Sequence, residues 1–133
     1  MKKLLASVLL ISSLSGCALY DAYFMAKFDH NEYQLVTNIR TEAQLADCSN
    51  RDKMAQTANN IYKKAAELRN YTQYIPRNED SYNMSVKLLN ESKSLNERYE
   101  STEKISEAYC RNKIKIVERS ANEIQHAFGS KPR

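Results

Sequence analysis

The sequence predicts an all-α fold: a long antiparallel helical hairpin turning at Pro76, with an extra N-terminal helix and a Cys48–Cys110 disulfide. Three observations lead there. The 133 residues include two glycines and two prolines, and between Cys17 and Gly129 the one strong breaker is Pro76. Chains so poor in turn punctuation favour long helices over sheets. Apolar residues recur at heptad spacing on both sides of that proline. The residue midway between Cys48 and Cys110 is Glu79, inside the expected Pro76–Asp80 turn, so a hairpin puts both cysteines at one height. The length fits one domain. A formal charge of +4 is too mild for a nucleic-acid binder.

The chain opens on Met1-Lys2-Lys3, then an apolar run of 11 residues from Leu4 to Leu14, then Ser15-Gly16-Cys17. A basic start, a short apolar run and small residues before a cut site make a secretory signal peptide. A permanent membrane helix needs about 20 apolar residues. The quartet Leu14-Ser15-Gly16-Cys17 resembles the lipobox of bacterial lipoproteins. The resemblance implies cleavage before Cys17 and acylation of Cys17 with fatty chains of the palmitate kind. With Ala18 rather than aspartate next, it also implies transfer to the outer membrane. On this reading residues 1–16 are the signal peptide, 17–28 a lipidated juxtamembrane segment, 29–128 a helical periplasmic domain and 129–133 a tail. Export to an oxidising compartment would pair Cys48 with Cys110, the alternative being free or intermolecular thiols.

In residues 18–28, Tyr20, Phe24 and Phe28 fall at i, i+4 and i+8, one stripe if helical. The sequence leaves two placements for the stretch carrying Tyr20, Tyr23, Phe24 and Phe28. It rests on the lipid headgroups, where aromatics gather, or it packs on the basic end formed by residues 111–128, the favoured choice. Asp29 and Glu32 have capping-box spacing, so a helix starts there and runs to about Ala46, with Leu35, Val36, Ile39, Ala43 and Ala46 inward. Ser49 and Asp52 offer a second, weaker cap. Met54, Ala58, Ile61, Ala65, Leu68, Thr72 and Ile75 form a heptad seam that stops before Pro76, because a residue preceding proline is disfavoured in a helix.

The second rod is expected from about Asp80 to Phe128. Leu88, Leu95 and Tyr99 give its early stripe, with Ser92 and Thr102 as interruptions. Ser101-Thr102 is where a kink would fall. Cys110, Ile114, Val117, Ala121, Ile124 and Phe128 follow at regular spacing, and Gly129 with Pro132 closes the helix in the usual order. Charge alternates in blocks: residues 17–50 carry two basic and five acidic groups, 51–77 six and two, 79–107 four and seven, 111–133 six and two. Opposite signs therefore face each other across the turn. Exposed pairs contribute only about 0–1 kcal/mol each, so they set register more than they hold the fold.

Chemistry is sparse. His30 and His126 stand far apart, and Asp29, His30 and Glu32 lack a second histidine at i+4, so no metal site is expected. Glu103 and Glu107 read as a solvated face rather than a catalytic pair. The Asn-x-Ser/Thr triplets at Asn70, Asn83 and Asn90 are read as accidental in a bacterial-type export. With no nucleophile elbow, phosphate loop or Ser-His-Asp set, the sequence reads as non-catalytic, with no cofactor beyond the lipid on Cys17. Tyr71, Tyr74 and Tyr82 gather around the Pro76 turn. They read as a small core with hydroxyls at its rim or as a partner-binding tip, since tyrosine is enriched at interfaces. The basic residues Arg111, Lys113, Lys115 and Arg119 suit anionic lipid or the acidic first segment better than nucleic acid.

The expected function is an envelope protein-binding or assembly module, lipid-anchored at the outer membrane and facing the periplasm. In size and architecture it is similar to secretion pilotins. The alternative is a structural spacer like the outer-membrane partner of a phage spanin pair, or a surface lipoprotein of the superinfection-exclusion kind. A straight helix from residue 80 to 128 would reach about 73 Å, which is what a spacer needs.

Overall fold

In the computed structural model, residues 25–133 are described. The expectations at Cys17, Tyr20, Tyr23 and Phe24, and the signal segment, lie outside them. Four helices follow one another: α1 (His30–Gln44), α2 (Arg51–Thr72), α3 (Glu79–Glu100) and α4 (Glu107–Gly129). Among the described residues there is no strand. α1 packs on α2 and α4, and α3 on α2 and α4. Cross-helix contacts such as Thr72 with Ser85, Glu42 with Lys64 and Tyr33 with Gln125 make neighbours antiparallel. The result is an up-and-down four-helix bundle around one core.

The fold is all-α, but the expected 80–128 rod is two helices. Neither glycine nor proline breaks it. Ser101 leaves α3 in an extended conformation (ψ 156°). The Ser106 hydroxyl accepts from the Tyr109 N–H at 3.1 Å and starts α4. The carbonyls at and just beyond the end of α3, that of Tyr99 at 3.5 Å among them, find a donor on another helix. The Arg51 guanidinium donates to the oxygens of Ser101 at 2.8 Å and Glu103 at 3.2 Å. Helix ends need such partners, because their last carbonyls have none within the helix. The break lets α4 fold back, so Ile114, Val117, Ala121, Ile124 and Phe128 join a core shared by all four helices.

The α2 seam is as expected, with Met54, Ala58, Ile61, Ala65, Leu68 and Thr72 buried; the helix ends at Thr72, and Ile75 lies in the turn, partly covered. The facing seam of α3 is Ser81, Ser85, Leu88, Ser92, Leu95 and Tyr99. Its serines continue the stripe instead of interrupting it. Ser92 donates to the Leu88 carbonyl at 2.7 Å, Ser85 to the Tyr82 carbonyl at 2.6 Å, and Ser85 pairs with Thr72 at 2.9 Å. A hydroxyl bonded to its own helix can be buried because that bond offsets the loss of its water.

Three local expectations change. α2 is capped by Asn50, whose side chain accepts from the Lys53 N–H at 3.0 Å, while Ser49 bonds back to Asp47. Asp29 caps α1 through the Glu32 N–H at 2.9 Å, but the Glu32 carboxylate turns inward rather than completing the box. Gly129 is the last residue of α4 and has no positive φ. A Cβ there would lie 3.2 Å from the Tyr33 ring, so the glycine admits the packing of α1 on α4.

The left-handed residue is Arg77 (φ 59°), in the turn between α2 and α3. That conformation costs an L-residue about 1–2 kcal/mol relative to glycine. Arg77→Gly is therefore expected to be more stable than Arg77→Ala by about 1 kcal/mol. Both variants lose the guanidinium, so the comparison isolates the backbone. Equal urea midpoints would contradict it.

Candidate functional site

The two ends of the bundle differ in chemistry. At one end stand the α2–α3 turn, the start of α1 and the residues after α4. Glu32 is 0% exposed and the Lys131 side chain 8%. The Lys131 ammonium pairs with Glu32 Oε2 and donates to Asn78 Oδ1 at 2.7 Å, while Asn78 Nδ2 donates to Glu32 Oε1 at 2.7 Å. The ammonium also lies 4.7 Å from the Phe128 ring centre. Every member of this triad is satisfied by another, the condition under which charges tolerate burial. Asn78 precedes α3 but spends its side chain here, leaving the helix without a side-chain cap.

The tyrosines at this end divide. The Tyr71 hydroxyl donates to the Asp29 carboxylate at 3.0 Å and accepts from Asn31 at 3.1 Å. Arg69 lies 5.7 Å from the Tyr82 ring centre. Tyr71 and Tyr82 are therefore partly covered and engaged within the chain, whereas Tyr74 is 82% exposed. Phe28 stacks at a tilt on Tyr33 with centroids 5.7 Å apart, and its N–H donates to the Pro132 carbonyl at 2.8 Å. The Arg133 guanidinium lies 5.6 Å from the centre of the Phe28 ring. Phe28 thus packs against residues that follow α4. The chain enters here: Met25 and Ala26 line a surface hollow of about 330 Å³ with Arg77, Asn78, Glu79, Asp80, Ser81 and Lys131.

The opposite end holds the α1–α2 and α3–α4 connections. Cys48 in the first is bonded to Cys110 in the first turn of α4, with Cα atoms 5.8 Å apart. Both connections lie away from the Pro76 turn, so the equal-height argument holds for a bundle as it does for a hairpin. Beside the bridge is an open hollow of about 530 Å³. Ala43, Ala46 and Ile114 form its apolar part, and Arg111, Lys115 and Glu118 its charged rim. Leu45, which caps α1, is 78% exposed next to it. Bonds from the Ser49 hydroxyl and N–H hold the Asp47 carboxyl below its ordinary range.

Glu103 is paired with Arg98, and Glu107 with Arg111. His30 starts α1 and His126 lies on the outer face of α4, both exposed. Among the described residues no group of three or more His, Cys, Asp or Glu is arranged to hold a metal ion, and no helix is long and apolar enough to cross a membrane. The Glu32–Asn78–Lys131 triad went unread in the sequence. Its members are 99 positions apart at the widest, and Glu32 carried a ready local explanation as a capping residue.

Comparison with protein-family models, with curated proteins and with solved structures gave no match.

Proposed function

We propose that this chain is a non-catalytic outer-membrane lipoprotein that presents its disulfide-bonded end to an envelope protein. The observation that carries the reading is the lipobox-like quartet Leu14-Ser15-Gly16-Cys17. The arrangement of the bundle supports it. The described chain begins at the Pro76 end, with Met25 beside Arg77 and Asn78, and the Cys48–Cys110 end is the one away from it. That far end carries the exposed Leu45 and a hollow with an apolar floor and charged rim, the mixture common in protein interfaces. The spacer alternative loses its main support. α3 and α4 have 22 and 23 residues, giving a bundle about 35 Å long, less than half the reach of an unbroken rod.

The test is made in cells that process lipoproteins. The purified protein should carry the mass of acyl chains, and Cys17→Ser should leave the membrane fraction. A photo-crosslinking residue at position 45 should give one discrete adduct with an envelope protein. Absence of acyl mass, or only diffuse products from position 45, would reject the reading.

A further inference from the structure

We infer that the Pro76 end of the bundle faces the lipid surface and touches it through Tyr74 and Met25. The inference rests on the acylation of Cys17 proposed above. Eight peptide steps separate Cys17 from Met25, so the tether reaches about 28 Å when fully extended. Met25 shares its hollow with the α2–α3 turn. α2 alone, at 22 residues, puts the far end about 33 Å away. The tether is therefore shorter than the bundle, and the disulfide end cannot reach the headgroups with the bundle upright.

The exposed residues at the Pro76 end suit such a boundary. Tyr74 is 82% and Met25 48% exposed. Tyrosine sits at the headgroup level because its ring is apolar and its hydroxyl bonds to water. The charges nearby are balanced: Lys27, Arg77 and Arg133 stand with Asp29, Glu79 and Asp80, while Glu32 and Lys131 cancel one another. Attraction to anionic lipid is thus not the source of the contact. The tether and the two side chains are, so the contact should be insensitive to salt. This also separates the three tyrosines: Tyr71 and Tyr82 brace the turn from within, and Tyr74 meets the lipid.

The chain has no tryptophan, so single tryptophans report without background. The acylated full chain is reconstituted in vesicles of brominated phosphatidylcholine, and Tyr74→Trp is compared with Leu45→Trp. The inference expects bromine to quench Tyr74→Trp and shift its emission to the blue, with Leu45→Trp unchanged. Adding anionic phosphatidylglycerol or salt should alter neither result. Equal quenching at both positions means that the bundle lies flat, and quenching at neither means that it stands clear of the lipid; each overturns the inference while leaving acylation intact. Acylation is read separately from the mass of the same preparation. A protein without acyl mass overturns both.

Discussion

Lys131→Met is expected to cost the bundle roughly 3–5 kcal/mol, read as a fall in the urea midpoint at unchanged slope. The substitution strands the Glu32 carboxylate, which is 0% exposed and sits inside α1 where it cannot rotate out. Asn78 would still donate one bond, but no countercharge would remain. Glu32→Gln should cost clearly less. The amide keeps the shape, and the stranded charge is then on Lys131, which lies beyond α4 and outside any helix. That segment can swing the ammonium into water by giving up the bond between Phe28 and Pro132. The asymmetry is the distinctive part of the expectation. Equal losses for the two variants would mean that Glu32 finds water as readily as Lys131. Replacing both residues, Glu32→Leu with Lys131→Met, removes the stranded charge but leaves the buried Asn78 amide without either partner, so it should recover only part of the loss.

Cys48→Ser is expected to lower stability by a similar amount at the other end. The bridge closes a loop with a sequence separation of 62, which the chain-entropy account values at roughly 4 kcal/mol. For a domain of this size each kcal/mol corresponds to about 4–8 °C in melting temperature, so the shift is large. Reductant should reproduce it in the unsubstituted protein. A melting temperature indifferent to reductant would remove the bridge from the account of stability. Lys131 and Cys48 stand at opposite ends of the bundle, so their effects should add.

The seams were legible because heptad spacing is a local signal. Met54 to Thr72 and Cys110 to Phe128 are buried as their spacing requires. The place of the helix break was legible, as a kink at Ser101-Thr102, but its extent, a full stop and restart between Glu100 and Glu107, was not. No glycine or proline marks it; the break at 101–106 is made by serine caps and by Arg51, a donor fifty residues away. The α3 stripe was underrated for a related reason. Ser85 and Ser92 look polar in one dimension and become core residues once their hydroxyls bond backward. At the candidate site, tyrosines around a proline were visible, but which of them would be engaged within the chain was not. Asp29 and Arg69 decide that, and their reach to Tyr71 and Tyr82 depends on packing.

The seam between α1 and α4 also has a consequence for biosynthesis. α1 is among the first parts of the domain to be made, and its Glu32 waits for a lysine 99 positions later. Until the ribosome has passed codon 131, the Glu32 carboxylate has no countercharge. A nonsense mutation at codon 131 would leave all four helices encoded and still remove the ammonium that Glu32 requires.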